Sequence, residues 1–171
     1  MEKLLKKYRI GTSRLRSGSQ YGLEIDEAGG IHTLPEEGRH LLFLGALDAG
    51  VEDWTWGRFV LSASLPHDMV LVIHALASDE DRILRDGHAI RTDDFLRDPD
   101  TDAQFKMRLF DLSDSIRQVG ATDILLYSQR GRYLWLCIEL IGTGSAHLHD
   151  LRVYAPGDNF FQTFPEVYRQ N

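Results

Sequence analysis

The stretch GRYLWLCIEL, residues 131–140, holds one arginine and one glutamate among residues that are otherwise glycine, apolar or aromatic. Leu134, Leu136, Ile138 and Leu140 alternate with Tyr133, Trp135, Cys137 and Glu139, and residues two apart on a strand share a face. Both faces are therefore largely apolar, as in a central strand covered on both sides. Gly131 interrupts the chain before it, and Gly142-Thr-Gly144-Ser interrupts it afterwards.

The segments around it extend the pattern. DILLYSQ (123–129) precedes it and HLHDLRVYA (147–155) follows. Upstream lie LLFLGAL (41–47), WTWGRFVLSAS (54–64) and MVLVIHALAS (69–78), whose Val, Ile, Trp and Phe suit strands. The joint Leu65-Pro66-His67-Asp68 reads as a turn and predicts that the last two runs are antiparallel neighbours. In the first of them, Trp54, Trp56 and Arg58 are expected on one face, and Phe59, Leu61 and Ala63 on the other. Nearer the start, LEID and IHTL flank Glu27-Ala28-Gly29-Gly30, a hairpin signal. Short strands at these intervals predict a mainly β fold, an antiparallel β-sandwich of jelly-roll-like type. The expected organisation is an N-terminal arm and hairpin over 1–40, a sandwich over 41–156, and a C-terminal docking segment over 157–171.

Residues 79–119 break the pattern and read as a helical, Asp-rich insertion. Phe105, Leu109, Leu112 and Ile116 fall on one face of a helix, although Phe105-Lys-Met107-Arg-Leu109 also permits a short strand. Asp98, Asp100 and Asp102 lie where a helix start favours negative charge. Their spacing also matches the opening of a calcium-binding EF-hand loop. That loop needs Gly at its sixth position and Glu at its twelfth, and here these are Ala103 and Leu109.

Composition narrows the function. The chain has 171 residues, 43% apolar and 26% charged, with a formal charge of -7. Such an acidic balance argues against nucleic acid as the main partner. The basic run over the first sixteen residues lacks the apolar core of a signal peptide, and no later segment reaches membrane-span length. The single cysteine, Cys137, fits synthesis in a reducing cytoplasm. No nucleophile elbow or phosphate-cradling glycine loop is present. The expectation is therefore a protein that is not an enzyme, with no catalytic residues and no cofactor. His147 and His149 share one strand face and could hold zinc or iron if a third ligand converged, with His74, Asp150 and Glu139 as candidates. Two polar residues on an outer face are commoner, so no metal is expected. Trp54, Trp56 and Trp135 could alternatively stack on a glycan, the reading of a carbohydrate-binding module.

The C-terminal third carries an ordered set of features: Gly131-Arg-Tyr-Leu-Trp-Leu, then Gly142 and Gly144, then Leu148-His-Asp-Leu-Arg-Val-Tyr-Ala-Pro156, then Phe160-Phe-Gln-Thr-Phe164-Pro-Glu-Val-Tyr168. Upstream, Trp56-Gly-Arg-Phe-Val-Leu-Ser-Ala-Ser-Leu-Pro66 and Ala75-Leu-Ala-Ser-Asp79 look like an earlier strand pair of the same pattern. In order and spacing this resembles the phage tail protein domain family found among baseplate components of contractile phage tails, tailocins and related contractile injection systems. The resemblance covers about half the chain. It implies a structural subunit of a phage-tail-like particle, made in the cytoplasm and held by other tail or baseplate subunits in a multi-subunit assembly. Arg132 and Tyr133 would frame the start of the central strand. Phe160, Phe161, Phe164, Pro165, Val167 and Tyr168 would form the docking interface. The Asp-rich insertion and the basic N-terminus have no counterpart in that pattern.

Overall fold

In a computed structural model, the chain is described over residues 7–112 and 114–156. Its elements run β1 (Lys7–Arg9), α1 (Thr12–Leu15), β2 (Ser19–Tyr21), β3 (Leu23–Ile25), β4 (Ile31–Thr33), β5 (Arg39–Phe43), β6 (Leu47–Asp48), β7 (Arg58–Ser64) and β8 (Val70–Ser78). A small hairpin follows, β9 (Arg82–Arg85) and β10 (His88–Arg91), then α2 (Thr92–Arg97), α3 (Ala103–Met107) and a 3-10 turn over Arg108–Asp111. The chain returns to the sheets as β11 (Ile116–Val119), β12 (Asp123–Leu125), β13 (Tyr133–Ile141) and β14 (His147–Tyr154).

Two antiparallel sheets result, and the fold is the mainly β sandwich expected. The first runs β12-β7-β14-β4-β3, with β1 also on β14; the second runs β11-β8-β13-β5-β2, with β6 also on β13. The strand formed by Tyr133–Ile141, β13, is central: it pairs β8 from Tyr133↔Ser78 to Ile141↔Val70 and β5 from Cys137↔Phe43 to Ile141↔Arg39. Leu134, Leu136, Ile138 and Leu140 are fully buried between the sheets, against Phe59, Leu61, Leu148, Leu151 and Val153 of the first sheet. Each such side chain contributes about 1.5–3 kcal/mol on leaving water. On the opposite face, Trp135 and Cys137 join Leu41, Phe43 and Leu76 beneath Phe95, Leu96 and Phe110. Both faces of β13 are covered because the insertion forms a third layer over the second sheet.

Several expectations change. β7 and β8 are not neighbours. β7 pairs β12 and β14, β8 pairs β11 and β13, and the Pro66 turn carries the chain from one sheet to the other. The expected shared face of Trp54, Trp56 and Arg58 does not form either. Trp56 lies before β7, fully buried, and donates its indole N–H to the Gly131 carbonyl at 2.8 Å. Arg58 instead forms a bidentate pair with Asp123 at 2.9 and 3.0 Å. The hairpin of LEID and IHTL forms as β3 and β4. From residue 7 on, however, the segment expected as an arm is woven into the sheets through β1–β4. The helix face of Phe105, Leu109, Leu112 and Ile116 stops short: α3 tightens into the 3-10 turn, and Ile116 opens β11. The insertion thus ends before β11, which is a strand of the second sheet rather than part of the loop.

Candidate functional site

Two surfaces carry unusual chemistry, one on the outside of each sheet. The first begins with a bulge. Between His149 and Arg152 the register of β14 on β7 shifts, and Asp150 takes a positive φ of 55°. The extra residue lets Leu148 and Leu151, three apart, both point into the core. His147 and His149 are left on the outer face. Directly across β14, His147 is the partner of His32 on β4. Their rings stack at 4.5 Å with 8° between planes, and His149 stacks on His147 at 4.9 Å.

The β3–β4 hairpin brings Asp26 to the same place. Oδ1 of Asp26 accepts the backbone N–H groups of Ala28 and Gly30 at 2.9 and 2.8 Å, which pins the turn. Oδ2 lies 2.7 Å from Nε2 of His32. That hydrogen bond, followed by the one from Gly30, pulls the Asp26 carboxyl down to about 2. A Cβ on Gly30 would lie 2.6 Å from Oδ2 of Asp26 and 2.9 Å from Nε2 of His147, so the missing side chain is what lets these two tips converge. One ligand atom each from Asp26, His32 and His147 lies within 4.8 Å of the others. Asp26 and His147 border an open cleft of about 500 Å³ that also includes Arg9, Thr12 and Asp150.

The second surface lies on the insertion. Leu84 of β9, Phe105 of α3 and Leu112 are 78%, 37% and 53% exposed, yet all line one groove of about 330 Å³ with Phe95 and Leu109. Arg85 places its guanidinium 5.5 Å from the Phe95 ring and 5.2 Å from the Phe105 ring, and Arg108 lies 5.6 Å from Phe105. The floor is apolar, and Arg85 and Arg108 stand at the rim with Asp86. Lys106 points the other way from the same helix: fully buried, it donates to Ser19 Oγ at 3.2 Å and Tyr21 Oη at 2.8 Å, tying α3 to β2.

The residues singled out from sequence are distributed unevenly. Trp56 and Trp135 are 0% and 2% exposed, so neither ring offers a face to a glycan. The Trp135 indole N–H is also used, donating to Asp93. Trp54 is half-buried against the main core, and its Nε1 has no hydrogen-bond partner among the described residues. Of the third-ligand candidates for His147 and His149, His74 and Glu139 pair with each other on the second sheet at 2.9 Å. Asp150 reaches His149 at 3.8 Å and Arg9 at 3.0 Å. The groups that do converge on His147, Asp26 and His32, were not singled out. Arg132 holds Asp48 at 2.7 and 3.0 Å and lies over the Tyr133 ring, framing the start of β13. Phe160, Phe161, Phe164, Pro165, Val167 and Tyr168 lie outside the described residues. Among the described residues, no helix is long and apolar enough to cross a membrane.

No protein-family model and no curated protein matches the chain. Among solved structures, it is similar to the Glycosylation Associate Protein complex from Streptococcus agalactiae, at 12% identity with a TM-score of 0.43. The match covers 92% of this chain and 27% of that one, so the chain spans about a quarter of the length of this neighbour.

Proposed function

We propose that the chain is a non-enzymatic interaction module, and that the assembly it serves is a contractile phage-tail-like particle in which it is a baseplate component. The observation behind the first part is the groove on the insertion. Single exposed apolar residues are ordinary, but Leu84, Phe105 and Leu112 gathered in one groove form the kind of patch that marks a protein contact. Its rim of Arg85 and Arg108 suits a partner segment that presents an apolar side chain beside a carboxylate. The baseplate assignment is supported by the ordered sequence motifs from Trp56 to Tyr168. In that reading, Phe160, Phe161, Phe164, Pro165, Val167 and Tyr168 supply a second contact.

Tagged protein expressed in its native host and sedimented with tail-like particles tests both parts separately. The wild type should travel with particles, and Leu84→Glu should not, although a substitution so exposed shifts stability by only about 0.5 kcal/mol. Equal co-sedimentation of wild type and Leu84→Glu rejects the groove as the contact. A wild type that stays in the soluble fraction rejects the baseplate assignment.

A further inference from the structure

We infer that Asp26, His32 and His147 form a binding site for one divalent transition cation, of which zinc is the best match, linking the β3–β4 hairpin to β14. Two imidazoles and one carboxylate are a donor set that zinc accepts, with a remaining position left to solvent. The three residues come from two strands and a turn that are already held in register by backbone pairing. Their ligand atoms stand within 4.8 Å of one another, against about 3.3 Å between ligands in a tetrahedral zinc site with bonds near 2.0–2.1 Å. Reaching that spacing, which opens the 2.7 Å hydrogen bond between Asp26 and His32, takes small rotations about soft side-chain torsions, since His32 is exposed and His147 half-buried. Asp26 is ready for the role: its turn hydrogen bonds fall on Oδ1, so Oδ2 is the oxygen directed at the histidines. Gly30 supplies the space, because a Cβ there would intrude on Oδ2 of Asp26 and Nε2 of His147.

The surrounding charges bear on affinity. Arg9 stands at the cleft but is paired to Asp150, and Glu24 is the cross-strand partner of His32 on β3. His149 stacks on His147 without joining the three converging ligands. Imidazole binds metal only when neutral, so zinc competes with protons at this site.

The test is a zinc titration of the full chain, carrying no histidine tag, against a chromophoric chelator, with Co²⁺ absorption as the report of coordination. One equivalent should bind, with a Kd on the order of micromolar. Zinc at a hundred times that Kd should lower the unfolding constant about 100-fold. His147→Ala should weaken binding by at least the roughly 10–100-fold that outer-shell changes cost. Gly30→Ala should do the same while keeping all three ligands: the atoms it displaces are side-chain tips, so this variant remains folded and tests the geometry directly. His149→Ala should stay within about twofold, well short of the loss from even an outer-shell change. Absence of saturable binding overturns the site. So does binding that survives both His147→Ala and Gly30→Ala unchanged.

Discussion

Replacing Glu139 by glutamine keeps the side-chain volume and removes its charge at the point where the cover over the second sheet ends. Glu139 is 6% exposed. Oε1 accepts from Nε2 of His74 on β8 at 2.9 Å, and Oε2 lies 2.9 Å from both Nε and Nη2 of Arg39 on β5. These are diagonal neighbours on the same face of the sheet, one on each side of β13. A glutamine amide can accept from one of them only; its NH2 then faces another donor. Hydrogen bonds to charged groups contribute about 1.5–3 kcal/mol. The Arg39 side chain is 37% exposed and can turn to water, whereas that of His74 is 6% exposed and cannot. The expected loss is therefore about 2 kcal/mol at pH 7, a fall in Tm of roughly 4–8 °C for a chain of this size. The hydrogen bond from His74, aided by Arg39, holds the Glu139 carboxyl below its usual 4.5. Below that pH the unfolded chain takes up the proton before the folded one, so the stabilisation present above about 4.5 drains away as pH falls through the depressed value. Denaturant unfolding of wild type and Glu139→Gln across this range reads the effect directly. The gap should be level near neutrality and close in acid. A gap that is unchanged at about pH 3, or below about 0.5 kcal/mol at neutrality, refutes this account.

Gly131 has φ of 150°, and a Cβ there would lie 2.5–2.6 Å from the backbone N, Cα and C of Ser78. Gly131→Ala combines backbone strain with a clash that no rotamer relieves, and should cost about 3 kcal/mol or more by urea denaturation. The indoles of Trp54 and Trp56 should respond unequally to the same change. Trp56→Phe strips the Gly131 carbonyl of its donor and leaves a void, for a loss of about 2–3 kcal/mol. Trp54→Phe removes a buried N–H that has no partner among the described residues, and should shift stability by under about 1 kcal/mol.

The sequence made some of this legible because the deciding forces are local. The alternation in β13 and the paired glycines of the β3–β4 turn each settle an element within a few residues. The split of β7 and β8 between sheets was also written in their patterns. In β7 only alternate positions, Phe59 and Leu61, are buried, whereas seven consecutive residues of β8, from Leu71 to Ala77, are buried. That contrast separates β7 from β8, but the Pro66 turn read alone suggests a hairpin. The helix face failed for a different reason. Of Phe105, Leu109 and Leu112, only Leu109 packs against a core; Phe105 and Leu112 are exposed in the groove, and the chain leaves helical geometry before Ile116. The histidine site was hidden by distance along the chain. His147 was visible as one ligand, but His32 comes from a strand more than a hundred residues away, and only the register of β14 on β4 makes them neighbours. Lys106 gave no signal at all, because a buried ammonium held by Ser19 and Tyr21 looks, in sequence, like any surface lysine.

Why the groove should exist follows from what the insertion must cover. The outer face of the second sheet presents Leu41, Phe43, Leu76, Trp135 and Cys137, an area that water would leave costly to expose. The covering layer consists of a four-residue-stranded hairpin, a six-residue helix, a five-residue helix and a 3-10 turn. Phe95, Leu96 and Phe110 face down onto the sheet, and Lys106 anchors the layer through Ser19 and Tyr21. A layer that thin has no interior of its own. Apolar residues that do not face the sheet are left on the outside, as Leu84, Phe105 and Leu112 are, with the guanidiniums of Arg85 and Arg108 over the Phe105 ring. The first sheet has no such layer in the described residues, and its outer face carries His32, His147 and His149 in a row, with Leu125 exposed on β12. The two surfaces therefore lie on opposite sides of the sandwich and arise from opposite circumstances. Occupation of the histidine site should leave the Leu84 groove unaltered, and loss of the groove should leave zinc affinity unaltered.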